Sequence, residues 1–179
     1  MLIRHAEKPN GDVGIMADGS QNGEALTAKG WQRAEALVAL FAPPGGRFAD
    51  SHLATPAAIF ASGVGRHSKS LRPEQTVTPL ATRLRLPIET KYPKGGERAL
   101  VQAVTMLGGV VLIAWEHEAI PEIATLIRGS DHDIPLQWPN NRFDDVWVFD
   151  RPIGNVTWSF TQVPQRLLPG DSADPIPLA

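Results

Sequence analysis

Val110-Val111-Leu112-Ile113-Ala114-Trp115-Glu116-His117 is the stretch on which the fold turns. Apolar residues from Val110 to Trp115 stop abruptly at two ionisable ones. The run falls well short of the ~18 apolar residues of a membrane span. Gly108-Gly109 precedes it, and an unbroken apolar run bounded in this way reads as a strand covered on both faces. The same pattern recurs at the start of the chain, where Met1 to Ile3 run into Arg4-His5, and at Ala57 to Ala61, which lead into Ser62.

Helical spacing fills the intervals. Trp31, Ala34, Leu37, Val38 and Phe41 mark a helix over Leu26–Phe41. Thr27 is placed as its N-cap, with Leu26 and Trp31 where a hydrophobic staple would sit, and Pro43-Pro44-Gly45-Gly46 ends it. Pro73 suits the first position of a second helix, with Val77, Leu80, Ala81 and Leu84 as its buried stripe. Pro79 inside that stripe predicts a kink or two short helices. Pro87 to Thr90 reads as a weak strand. Gly95-Gly96 opens a third helix with Leu100, Val104 and Leu107 on one face. Pro121 opens a fourth, with Ile120, Ile123, Ala124 and Ile127 on one side and Gly129 at its end. Asp145–Asp150 and Val156–Val163 flank Ile153-Gly154-Asn155 as a hairpin. Pro164 to Ala179 is a Pro-rich tail expected to lie extended on the body. Alternating strands and helices give an α/β class with a largely parallel sheet, which the hairpin extends. At 179 residues the chain is expected to form one domain.

Composition narrows the function. With 17 Lys+Arg against 19 Asp+Glu the formal net charge is −2, which argues against a general nucleic-acid binder. The chain has no Cys, which excludes disulfides, Cys-ligated metals and a thiol nucleophile. Neither GxxxxGK[S/T], GxGxxG nor HExxH occurs. No membrane segment is expected. The N-terminus carries no signal-peptide h-region, and a cytoplasmic protein is expected.

In an open α/β sheet, ligands bind beyond the C-terminal ends of the strands. Arg4-His5, Ser62 and Glu116-His117 would therefore converge although the two histidines are far apart in sequence. Arg beside His repels a cation but matches phosphate oxygens, and His can serve as a nucleophile. Around a phosphoryl group, one imidazole attacks while the other and two guanidinium groups neutralise the equatorial oxygens.

These residues carry a resemblance. Arg4-His5-Ala6-Glu7-Lys8-Pro9 after a short apolar strand resembles the Arg-His-Gly/Ala signature of the histidine phosphatase superfamily, with its phosphoglycerate-mutase-like fold. Leu26-Thr27-Ala28-Lys29-Gly30-Trp31-Gln32-Arg33-Ala34 is similar to the family's Leu-Thr-x-x-Gly-x-x-Arg/Gln-Ala helix start. Phe60-Ala61-Ser62, then Arg72-Pro73-Glu74-Gln75-Thr76, and the strand into His117 continue it in order. The motifs span about two thirds of the chain. The resemblance implies a three-layer α/β/α sandwich, a phosphohistidine intermediate, and neither metal nor cofactor. It makes His5 the nucleophile, Arg4 a phosphate ligand and His117 the second phosphate-pocket histidine. The second arginine is Arg66 when counted from Ser62 and Arg72 when counted back from Thr76. Arg72 is preferred because it flanks a helix N-terminus. The general acid is Glu97, in a stretch similar to the family's Gly-Glu-Ser/Thr, or Glu116 beside His117. Glu118 is a third option.

The function expected is therefore a metal-independent phosphoric monoester hydrolase of the histidine acid type. Its partner would be a phosphorylated small molecule or a phosphoprotein, not nucleic acid or membrane. A phosphomutase of the same superfamily and a catalytically weak phospho-ligand-binding module are the alternatives. His52 and His132 read as surface residues, and Arg66, His67 and Lys69 as a solvated loop. Trp138, Trp147 and Trp158 read as packing residues.

Overall fold

The structure is a computed structural model, of which residues 1–178 are described. Six strands form one mixed sheet: β1 (Leu2–Arg4), β2 (Ala58–Ala61), β3 (Ile88–Glu89), β4 (Val111–Trp115), β5 (Asp145–Asp150) and β6 (Ser159–Pro164), in the order β3-β2-β4-β1-β5-β6. The pairs β1–β4, β2–β4 and β2–β3 are parallel. β5 runs antiparallel to both β1 and β6. Among the described residues the α-helices are α1 (Ala28–Phe41), α2 (Arg72–Leu84), α3 (Glu97–Val104) and α4 (Ile120–Arg128). Among the described residues no helix is long and apolar enough to cross a membrane.

Strand alternation divides the core in two. Leu2, Phe60, Ile113 and Trp115 pack against Leu100 and Val104 of α3 and Ile120 and Ile123 of α4. Ile3, Ile59, Leu112 and Ala114 pack against Leu37 and Phe41 of α1 and Val77 and Leu80 of α2. The sheet thus carries two helices on each face, and both faces of β4 are covered, as its unbroken apolar run requires.

The helix ends follow their capping chemistry. Thr27 accepts the Gly30 N–H at 3.1 Å, and Leu26 clusters with Trp31, Ala34 and Ala6. Gly129 closes α4 at φ +76°, a left-handed position that glycine takes without steric cost. Trp138 and Trp147 are buried in the core, and Trp158 packs at its edge. His52 and His132 lie at the surface.

Four expectations need correction. α2 runs as one helix through Pro79. The proline leaves a single N–H out of the ladder, and the buried Thr76, Val77, Leu80 and Ala81 around it hold the segment against the sheet. α3 ends at Val104, and Leu107 lies beyond it at 46% exposure, so the buried stripe is Leu100, Val101 and Val104. The returning hairpin strand begins at Ser159 rather than Val156, which is 90% exposed in a longer turn. The tail lies on the body with Ile176 buried, but it is not extended throughout, because it turns at Leu168–Asp171; its last residue, Ala179, is outside the described residues.

Candidate active site

Two parallel neighbours align the first pair of site residues. Arg4 is in register with Trp115, and the His5 N–H donates to the Trp115 carbonyl at 2.9 Å. His5 and Glu116 therefore leave adjacent strands together, one step past the last ladder rungs. β2 ends one strand further along, and the Ser62 N–H donates to the Ala114 carbonyl at 3.1 Å. Ser62, His5 and Glu116-His117 thus share the C-terminal edge of the parallel strands.

The backbone around His5 is pinned on three sides. Besides the bond to Trp115, the Ala6 N–H donates to Thr76 Oγ1 of α2 at 2.8 Å, and the Glu7 carbonyl accepts the Thr27 N–H at 3.0 Å. The nucleophile candidate is thereby locked to β4, α2 and α1. His5 is 2% exposed. Its Nδ1–H donates to the Ala6 carbonyl at 2.7 Å, which leaves the lone pair on Nε2. Burial holds its pKa well below the usual histidine value, and the nearby Arg4, Arg72 and His117 push it the same way. The ring is neutral at neutral pH.

Arg4 is 1% exposed and pushed down to about 9 by burial. Its Nη1 donates to the carbonyls of Pro139, Asn140 and Arg142 at 3.0, 2.9 and 2.7 Å, and its guanidinium lies 3.8 Å from the Phe143 ring centroid. Nε and Nη2 have no partner. Arg72 donates from Nη1 to the Gly23 carbonyl at 3.0 Å, and its Nε is likewise buried and unpartnered. Buried donors of this kind are nearly always satisfied in folded proteins. Two guanidinium groups with unused donors around one neutral imidazole make an anion cradle. His117 is 8% exposed, and burial and the charge of Arg4 lower its pKa. Its Nε2 hydrogen-bonds Asn140 Oδ1, which leaves Nδ1 uncommitted.

Of the two arginine candidates, Arg72 joins His5, Arg4 and His117; Arg66 is exposed on the loop after β2, as are His67 and Lys69. The carboxylates also separate. Glu97 is buried at the start of α3, where its Oε1 accepts the Trp115 indole N–H at 3.0 Å and the Gly95 N–H at 2.9 Å. Glu116 is 7% exposed, and neither of its oxygens has a partner. Its charge acts on Arg72. Glu118 is exposed and paired with Lys94. Ser62 Oγ is a further buried, unpartnered group at this edge.

The loop before β5 is long enough to be expected to shape specificity, but its contacts are not legible in sequence. Asn140 and Phe143 shape the pocket, but Pro139-Asn140-Asn141 reads only as a turn, and nothing in its composition points at Arg4. A cavity of about 610 Å³ lies at the opposite edge of the sheet, lined by Met1, Leu53, Val111, Phe149 and Trp158 among others, and it contains none of these candidates. No family model matches the chain, and no curated protein matches it.

Proposed function

We propose that this chain hydrolyses a phosphomonoester through a phosphohistidine on His5, on a phosphoglycerate-mutase-like sandwich. The observation that carries the reading is a neutral imidazole whose Nδ1–H is tied to the Ala6 carbonyl, set beside the buried guanidinium of Arg4 and the half-buried one of Arg72, each with an unused buried donor. The Nε2 lone pair attacks phosphorus in line, and the bond from phosphorus to the ester oxygen breaks. Arg4 and Arg72 neutralise the equatorial oxygens, which is where phosphoryl transfer needs help. A dianion in the cradle favours the imidazolium form of His117, which then donates from Nδ1. Glu116 gives its proton to the departing alkoxide, since both its oxygens are free whereas Glu97 Oε1 accepts from Trp115 and Gly95. Water then attacks phosphorus with its proton going to Glu116. The P–N bond breaks and its electron pair returns to Nε2.

The test is turnover of a generic phosphomonoester together with quenched trapping of the protein. Wild type is expected to release inorganic phosphate and to carry a label that is acid-labile and base-stable. His5→Ala should fold and lose both. Activity retained in His5→Ala overturns the assignment, and an isomerised ester in place of phosphate makes the protein a mutase.

A further inference from the structure

From Arg4 of the cradle runs a line of alternating charges that the chemistry above leaves unused: Glu7, Arg33 and Asp171. Arg33 is 2% exposed on the inner side of α1. Its Nε donates to both Glu7 oxygens at 3.2 and 3.1 Å. Nη2 donates to Glu7 Oε1 at 2.9 Å and Asp171 Oδ1 at 2.7 Å. Nη1 donates to Asp171 Oδ2 at 3.0 Å and Gln165 Oε1 at 3.1 Å. Every N–H of the fork is engaged, in contrast to Arg4.

Glu7 follows His5 by two residues and is 8% exposed. The charges facing its carboxylate are Arg33 and, at 3.8 Å, the exposed Lys29 of α1. Arg4 of β1 also lies within its field. A buried carboxylate here would compete with an arriving oxyanion for Arg4 unless another cation held it. Asp171 and Gln165, from the tail, fix Arg33 from behind.

We propose that Arg33 is a positioning residue for the phosphate pocket. It acts through Glu7, by holding and neutralising that carboxylate so that the free donors of Arg4 remain available to an oxyanion. Asp171 keeps Arg33 in place, so the C-terminal tail takes part in anion binding without touching the anion. This rests on the phosphate-binding reading of the site.

Calorimetric titration with orthovanadate, which needs no turnover, separates the two. Wild type should bind. Arg33→Met should bind at least ~10-fold more weakly, because an unpaired buried charge remains beside Arg4. Adding Glu7→Gln to Arg33→Met should restore most of the affinity, since the competing charge is gone. A clamp that served only to join α1 to β1 would show no such rescue, and failure of the rescue overturns the proposal, as does an Arg33→Met affinity equal to wild type. A wild type that does not bind orthovanadate overturns the phosphate reading itself, and the proposal with it. If Arg33→Met does not fold, Asp171→Asn gives the same decision. It should weaken binding a few-fold and be rescued by Glu7→Gln, and an unchanged affinity rejects the role.

Discussion

Glu97 and Glu116 are both buried acids near the ends of the central strands, and their hydrogen bonds assign them different work. Glu97 accepts from the Trp115 indole and the Gly95 amide, so it fixes the floor on which Arg4 and Trp115 pair. Glu116 has no such duties. A general acid contributes most when the leaving oxygen is strongly basic. Glu116→Gln should therefore lower kcat for an alkyl phosphate by roughly 10²–10⁴ while leaving a nitrophenyl phosphate nearly unaffected. Glu97→Gln should lower the melting temperature and spare that leaving-group dependence. Steady-state kinetics on the two esters check the assignment, and equal losses on both for Glu116→Gln would reject it. From sequence these acids are indistinguishable, because adjacency to His117 and a helix-start motif are both weak signals. The difference lies in whether a donor from another element reaches the carboxylate.

Elements whose burial is set by their own period were legible, and those set by distant packing were not. β4 announced itself because helices cover both its faces. α1 did so because Thr27, Leu26 and Trp31 supply cap and staple within a few residues. Removing that cap by Thr27→Ala should cost about 1 kcal/mol of unfolding free energy in denaturant titration. It also loses the hydroxyl that reaches the Glu7 carbonyl at 3.3 Å. Pro79 misled because its local penalty is outweighed by the buried residues on either side. Leu107 misled because hydrophobicity at the right spacing does not by itself continue a helix toward Gly108-Gly109. The site followed the same division. His5, Arg4 and His117 sit at strand ends and were readable there, while Asn140 and Phe143 come from the irregular loop that leads into β5, which pairs with β1.

Across the whole molecule the tail is held by buried carboxylates rather than by regular structure. Asp144 Oδ2 accepts the Ser172 N–H at 2.6 Å, and Asp145 Oδ2 accepts that of Ile176 at 3.3 Å. Burial pushes Asp145 up to about 7. The folded chain thus keeps a proton that the unfolded chain has released at lower pH. The associated stability is fully present below the usual carboxylate range and is lost as pH rises through about 7. His5 and His117, both lowered, act in the opposite sense: their contribution is fully present above the usual histidine value and is lost as pH falls from it through their lowered ones. Asp145→Asn removes only the first effect. Its melting temperature relative to wild type should therefore rise between about pH 5 and pH 8, as thermal denaturation across that window would show. A constant offset would mean that Asp145 stays ionised throughout.

The reversed direction of β5 has one more consequence. Because β5 runs against β1, the loop leading into it arrives at the same edge as His5 and lends Arg4 three carbonyls. The segment that carries Arg4 and His5 thus holds little of its own to orient the guanidinium. Its setting comes from the segment around Asn140, and the counter-charge on Arg33 comes from Asp171, both distant in sequence. The candidate pocket is therefore assembled only when segments far apart along the chain have all come together, and its order reports on the fold as a whole.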